Sequence, residues 1–443
     1  MGRPAKTRSE ALGRDFRILW TANSVSTLGD GVVQAAAPLL VASITRDPVL
    51  VGLAAFVQQL PWLLFSLVSG VVVDRLDKRR LIVAVDVLRG ALTALLALAV
   101  WSGHASIPVI YGLAFLLGTG ETLAENAAAG LVPATVPSAL LPAANARLHG
   151  SYFVLNKFAG RPVGAVLFVL AAALPFGLDA ASFLVSAALI ATLRTVGAAH
   201  RTAHRTATAD PAGTATAAGT VTPAAAPPRA RSVRADIRDG LRWVWHEPVI
   251  RMMSVALCLM NVALTAGFSV LVLYARDRLG LGAVGFGFLT AASAVGGVLG
   301  ALAAPRLQSR FSASLLLRAG LVVETLTHVG LALATGPWVA GSVLAAFGLH
   351  SSVLGGVETT FRQRRVPEEL RGRVQSVFMM FAVGGNVLGA LIGGPLVRWH
   401  GTTAPFWCAA AAMTVLTAVA WRPFGRNLDA SAPSRTVPVY AGP

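Results

Sequence analysis

The chain has 443 residues, 55% of them hydrophobic and 13% charged, with 37 Lys and Arg against 20 Asp and Glu for a net charge of +17. A soluble domain carries charge on about a quarter of its residues, and a mean hydropathy of +0.66 excludes a disordered chain and argues against a soluble globular enzyme. A chain this basic invites a nucleic-acid reading, but its basic residues fall between apolar runs and form no separate basic domain, so nucleic acid is not an expected partner.

Twelve apolar segments follow one another, at about 17–41, 49–73, 81–101, 107–131, 151–173, 179–196, 250–274, 284–304, 314–334, 337–360, 374–397 and 403–421. Each is long enough to cross a bilayer as a helix of about 20 residues, and Gly and Pro recur inside them as spanning helices tolerate. The fold class this predicts is an all-α polytopic membrane protein, twelve transmembrane helices in two six-helix halves. The first run follows a basic tail, is too long for a cleavable signal peptide and shows no small-residue cleavage site. Cys258 and Cys408 lie inside apolar runs and read as buried small hydrophobes, with no disulfide scaffold.

Orientation follows from Lys and Arg. With the N-terminus cytoplasmic, Arg46, Arg276, Arg278 and Arg398 fall in outside loops and Arg89, Lys157 and Arg161 fall within spans; every other one of the 37 lies on the cytoplasmic side. Both termini are therefore expected in the cytoplasm, with the protein multi-pass in the cell's inner or plasma membrane. Residues 197–232 are rich in Ala, Thr and Pro without apolar periodicity, a flexible linker. Residues 233–248 alternate charge with Ile237, Leu241, Trp243, Val244 and Trp245, the pattern of an amphipathic helix on the inner leaflet. The domain plan is a tail at 1–16, a first bundle at 17–196, a linker at 197–248, a second bundle at 249–422 and a tail at 423–443.

The clearest motif closes the second run: Gly70, Asp74, Arg75, Lys78, Arg79 and Arg80. Gly70 allows close helix approach, and Asp74 stands at the cytoplasmic mouth, where a carboxylate can face a helix N-terminus. This loop resembles the signature between spans two and three of the major facilitator superfamily, and the resemblance covers about residues 15–422, including the twelve spans and the central linker. The matching segment of the second half keeps Gly300, Arg306 and Arg310 but has Pro305 in place of the acid. Three further stretches resemble the drug-exporter branch that includes enterobactin and macrolide exporters: the opening from Asp15 to Trp20 with Ser26, Gly29 and Asp30; the segment Pro367 to Val374; and, loosely, Gly160-Arg161-Pro162-Val163-Gly164. The resemblance implies two pseudo-symmetric halves rocking around a central cavity. Asp74 would then latch the N-terminus of span eleven near Arg371, Gly372 and Arg373.

Charge inside a span is costly and marks function by default. Asp30 stands alone near the middle of span one. Asp86 and Arg89 share a helix face and read as a structural pair. Glu121 and Glu125, and Lys157 and Arg161, are each spaced i, i+4 at similar depth, so an ion-paired cluster is expected between spans four and five. Glu324 and His328 repeat that spacing in span nine, and Glu358 reads as a surface charge at the inner end of span ten. The proton-coupling candidates are Asp30, Glu121, Glu125, Arg161, Glu324 and His328. Gln34, Gln58, Trp62, Asn126, Asn156, Asn261, Phe268 and Asn386 are candidates for the substrate cavity; each of these types serves equally in helix packing.

No GxxxxGK[ST], GxSxG, HExxH or CxxC pattern is present, so neither enzymatic catalysis, a cofactor nor a metal site is expected. What the resemblance implies is a secondary active transporter exporting amphipathic small molecules, drugs or natural products by proton antiport. Its partners would be substrate, protons and the lipid bilayer, with the chain a monomer. A proton-coupled importer or a uniporter of a small metabolite or siderophore shares the topology, and a non-transporting receptor is the remote alternative.

Overall fold

The computed structural model describes residues 12–193, 233–367 and 370–429; within these, the side chains at 66–68, 70–72, 74–75, 233–236, 364 and 426–429 lie outside the description. The linker expected at 197–232 lies outside the described residues, as do most of both tails and Glu368 and Glu369. Among the described residues every regular element is a helix.

The first half contains α1 (Arg14–Ile44), α2 (Pro48–Arg75), α3 (Lys78–Trp101), α4 (Ile107–Thr135), α5 (Ser138–Leu170) and α6 (Leu174–Ala191). After α7 (Val233–His246) come α8 (Pro248–Phe268), the short α9 (Leu271–Asp277), α10 (Ala283–Arg310), α11 (Ala313–Leu333), α12 (Pro337–Arg365), α13 (Arg371–His400) and α14 (Ala404–Asp429). Among the described residues twelve helices are long and apolar enough to cross a membrane, all of these except α7 and α9.

Local chemistry sets the ends. The Asp47 carboxylate accepts from the Val49 amide at 2.9 Å, with Pro48 in the first turn of α2; Asp77 accepts from the Arg80 amide at 3.1 Å to start α3. Gly401, at φ 87°, ends α13 in a backbone conformation that suits glycine. Two boundaries differ from the apolar runs. Helix α5 begins at Ser138, not near 151, because Pro142 falls in a first turn, where its missing N–H costs no hydrogen bond. The seventh run breaks after Phe268, giving α8 and the separate α9.

The helix pairings repeat between halves. Helices α1 and α5, α2 and α4, and α3 and α6 pack together, and so do α8 and α13, α10 and α12, and α11 and α14. The halves meet through α2 with α13 and α5 with α10. These are the contacts of two pseudo-symmetric bundles. Association in a membrane needs close backbones, since lipid is as apolar as Leu. Accordingly Gly296 and Gly300 of α10 lie against the backbone of Ala345 and Leu349 on α12, and Gly348 of α12 lies against the Ser293 carbonyl.

The outer surface is apolar. Trp101, Trp338 and Trp399 are 79%, 88% and 73% exposed at helix ends on the face opposite the basic loops. That is the position of an aromatic belt at a membrane interface. Cys408 is exposed on α14, contrary to its reading as buried, because that run presents one face outward; Cys258 is partly buried.

Helix α7 spans Val233–His246, and much of its apolar face is covered by protein. Val244 is fully buried with Ile250, Met253, Val374 and Phe424. Gly240 lets α7 approach the Arg373 backbone, and Asp239 lies 3.6 Å from the Arg373 guanidinium. Trp245 remains exposed along its edge.

A side chain at Gly296 has no room, whereas Gly112 faces open space. Gly296→Val is expected to destabilise the protein by about 2 kcal/mol or more, and Gly112→Ala by under ~0.5 kcal/mol. Thermal unfolding in detergent, followed by size-exclusion chromatography, checks both.

Candidate functional site: a carboxylate cluster around Arg89

Helices α1, α3, α4 and α6 each carry acidic side chains into the first half, and α3 also brings Arg89 there. Arg89 Nη2 lies 3.0 Å from Asp30 Oδ1, and the guanidinium lies 4.1 Å from the centre of the Phe183 ring. The Asp86 carboxylate accepts from the Ser186 hydroxyl at 2.8 Å. Asp179 is buried on α6, where Ser182 donates to it at 3.3 Å. Glu121 and Glu125 stand on α4, one turn apart. Gly120 leaves space for the Arg89 stem, which a Cβ there would meet at 3.0 Å.

Two chambers share this cluster. The larger, about 320 Å³, includes Asn23, Asp86, Glu125, His149 and Asn156 in its lining and reaches toward the basic loops. The smaller, about 160 Å³, lies toward the opposite face, with Gln58, Phe176, Asp179 and Phe183 in its wall and Phe268 and Ser269 contributed by the second half. Asp30, Gln34, Arg89 and Glu121 line both. The result is five carboxylates around a single guanidinium, next to apolar and aromatic surface.

The structure re-pairs several charges. Asp30 is not solitary; its partner is Arg89. Asp86 and Arg89 do share a helix face, but Arg89 turns to α1 and Asp86 to α6. The ion-paired cluster of Glu121 and Glu125 with Lys157 and Arg161 does not form among the described residues. Residues Tyr152–Gly160 of α5 are a π-helix, whose i→i+5 turn changes which neighbouring helices this stretch faces from what regular α-helical spacing implies. Lys157 lies 5.3 Å from the Phe153 ring centre, and Arg161 donates to Gln34 at 3.1 Å and to the Thr290 carbonyl of α10 at 3.5 Å. In the second half His328 Nδ1 lies 2.8 Å from the Glu324 backbone carbonyl, while the Glu324 carboxylate faces His350 at 3.1 Å. Glu358 is half-buried, not a surface charge.

Of the cavity candidates, Gln34, Gln58, Asn156 and Phe268 line the chambers. Asn126 donates to the Ser69 hydroxyl at 2.7 Å and Asn386 accepts from Thr265 at 2.9 Å, both joining helices. Asn261 bonds the Leu257 carbonyl of its own helix, and Trp62 lines neither chamber. Asp179 and His350 were not among the sequence candidates. Asp179 sits at the edge of its apolar run, and its signal is the polar i, i+3 spacing with Ser182 inside α6.

In the basic loop, Arg79 donates to the Ile190 carbonyl at 3.3 Å and to the Ala191 carbonyl, placing a cation at the C-terminus of α6. Lys78 lies along Gly130 of α4, Arg80 is exposed, and Arg371 donates to the Val366 carbonyl at 3.4 Å. Gly372 faces open space and Arg373 pairs with Asp239. The latch expected from Gly70, Asp74 and Arg75 rests on side chains outside those described. On the opposite face the halves are joined: Asp47 lies 3.5 Å from Arg398, and Gly394 of α13 packs on the backbone of Pro48 and Val49.

Twelve spanning helices in two pseudo-symmetric halves, with two chambers lined almost wholly by the first half, make a multi-pass membrane protein. The Major Facilitator Superfamily model matches residues 19–384, and the chain belongs to that family. It is 27% identical over 439 residues to the multidrug efflux pump Tap of Mycobacterium tuberculosis (strain H37Rv), covering 95% of this chain and 96% of that protein. It is 24% identical over 383 residues to the enterobactin exporter EntS of Shigella boydii serotype 4, covering 86% and 84%. The crystal structure of the nucleoside transporter NupG shares the fold, with a TM-score of 0.70 at 12% identity over 94% of this chain and all of that one.

Removing one member of a buried ion pair costs about 3 kcal/mol or more, because the other is left uncompensated. Arg89→Met is expected to destabilise the protein by that amount, and adding Asp30→Asn to recover most of it. Thermal unfolding of the two single variants and the double variant measures the coupling.

Proposed function

We propose that the chain is a proton-driven exporter of amphipathic small molecules, set in the cytoplasmic membrane with both termini and the basic loops inside. The observation that carries the proton reading is the charge count of the cluster: one guanidinium offsets one of five carboxylates, and the low-dielectric interior penalises the remainder until protons or a cationic substrate neutralise them. Shared neutralisation is the physical basis of exchange: a carboxylate that gives up its proton to one side becomes available to substrate, and the reverse. Gln58, Phe176, Phe183 and Phe268 supply the mixed polar and aromatic lining that suits amphipathic compounds. Export in particular is supported by the relatives named for efflux and enterobactin export.

In this reading the contacts joining Asp47 to Arg398 and Gly394 to Pro48 are the closed outer gate, and the larger chamber faces the cytoplasm. Rocking of the halves about the α2–α13 and α5–α10 seams would break those contacts and expose the chamber outside. One chain supplies both halves, so the monomer is the working unit.

Everted membrane vesicles test the proposal, with ethidium as a lipophilic cation probe. A gradient acid inside is expected to drive ethidium uptake by wild type; Glu121→Gln and Glu125→Gln are expected to lose most of the gradient-dependent component, as is Asp30→Asn. Uptake that ignores the gradient in wild type, or survives in all three variants, would refute proton coupling through this cluster.

A further inference from the structure

Helix α7 has a second face that the protein leaves bare. Gly240 and Val244, one turn apart, turn inward onto α13 and α8. On the opposite side Arg238, Leu241, Arg242 and Trp245 follow the i, i+3, i+4, i+7 spacing of a single helical stripe. All four are exposed, Leu241 by 36% and Trp245 by 53%.

Charge is sorted between the two faces. Asp239 lies 3.6 Å from Arg373 of α13, and Glu247, just past the end of α7, lies 3.0 Å from Arg365 of α12. Both acids are thus engaged with the second bundle. Arg238, Arg242 and Arg251 enter no ion pair among the described residues. The outward stripe is therefore cationic and apolar at once, the combination that suits an anionic lipid surface.

The stripe also ends at the right place. Helix α7 leads through Glu247 into α8, a spanning helix that starts at Pro248. Arg251, in the first turn of α8, donates to the Trp245 carbonyl at 2.9 Å, and its guanidinium lies 5.9 Å from the Trp245 ring centre. Further along α8, Phe268 lines the smaller chamber, and the exposed Leu259 precedes it by two and a half turns, so Leu259 faces away from that chamber. Arg251 stands two turns before Leu259, within a quarter-turn of its face. Other occupants fit the stripe poorly. Residues 197–232 carry Arg201, Arg205, Arg229 and Arg231 against Asp210 alone, and a second copy would set one cationic stripe against another.

We propose that Arg238, Leu241, Arg242 and Trp245 of α7, with Arg251 of α8, form a docking surface for the anionic phospholipid headgroups of the membrane, on the side that carries the basic loops. The lipid phosphates accept from the guanidinium groups, while Leu241 and Trp245 enter the boundary between headgroups and acyl chains. Asp239 and Glu247 tie α7 to α13 and α12, so the bound lipids anchor the ends of those two helices as well. The surface does not depend on what the protein carries or on the ion that drives it.

The test is photocrosslinking of the full chain in nanodiscs of mixed phosphatidylcholine and phosphatidylglycerol, with adducts read by mass spectrometry. Leu241→p-benzoylphenylalanine places the reactive group on the stripe, and Val415→p-benzoylphenylalanine, on the exposed side of α14, is the reference. At Leu241 the ratio of phosphatidylglycerol to phosphatidylcholine adducts is expected to exceed the bulk ratio about fivefold or more, the equivalent of about 1 kcal/mol for one arginine at an anionic surface. At Val415 the bulk ratio is expected. Adding Arg238→Gln/Arg242→Gln should return the Leu241 ratio toward bulk, and Arg238→Lys/Arg242→Lys should keep the enrichment. Adducts in the bulk ratio at Leu241, or the same enrichment at Val415, would overturn the proposal, as would crosslinks to residues 197–232 or to a second copy in place of lipid. The two reference positions decide on their own if an arginine variant does not fold.

Discussion

Arg89 places a permanent positive charge inside a bilayer-spanning helix, and the organisation of the first half follows from its need for partners. A buried guanidinium is tolerated only with anions and hydrogen-bond acceptors around it. Asp30 on α1 is at ion-pair distance, Glu121 on α4 and Asp179 on α6 share its chamber, and Phe183 of α6 lies under its plane. Four helices are thereby held in one relative register. Glycine makes the approach feasible: Gly120 clears space for the Arg89 stem, and Gly31 lets α1 lie against the backbone of Asn156 on α5. The same arrangement leaves more carboxylate than cation in the chambers that Arg89 lines.

The cluster is connected to the seam between the halves. Gln34, beside Asp30 in both chambers, accepts from Arg161, and Arg161 reaches the Thr290 carbonyl across the α5–α10 contact. Arg161 follows directly on the π-helical turns of α5, a local irregularity of the kind that gathers at functional sites. A change of charge at Asp30 or Glu121 thus has a short polar route to an inter-half contact. The second half offers no equivalent arginine. It places Glu324 with His350 at the corresponding depth, so the two bundles share a fold while their buried polar groups differ in sign and count.

Several parts of this arrangement were legible in the residues. Asp30, Glu121 and Glu125 stand out because each interrupts an apolar run where charge is expensive, and the spanning helices were visible for the same reason. Gln34 and Phe268 were identified as cavity candidates by residue type, yet type alone did not separate them from Asn126 and Asn386, which bond helix to helix. Asp179 was obscured by an apolar run that begins at that residue, whereas α6 begins at Leu174 and puts it in the second turn. His350 drew no attention because a lone histidine carries little signal until its neighbour is known.

The sequence by itself determined the number of spans, their all-helical class, the two halves and the asymmetry of basic loops. These depend on hydropathy and charge along the chain, which a bilayer reads one segment at a time. Only the tertiary structure decided the partners: Arg89 with Asp30 rather than Asp86, Arg161 with Gln34 and Thr290 rather than the glutamates, Glu324 with His350 rather than His328. Helical spacing shows which residues share a face, but not how far a neighbouring helix is rotated or shifted. That is set by glycine contacts and by the π-turns of α5, and a rotation of one residue is enough to give a buried charge a different partner.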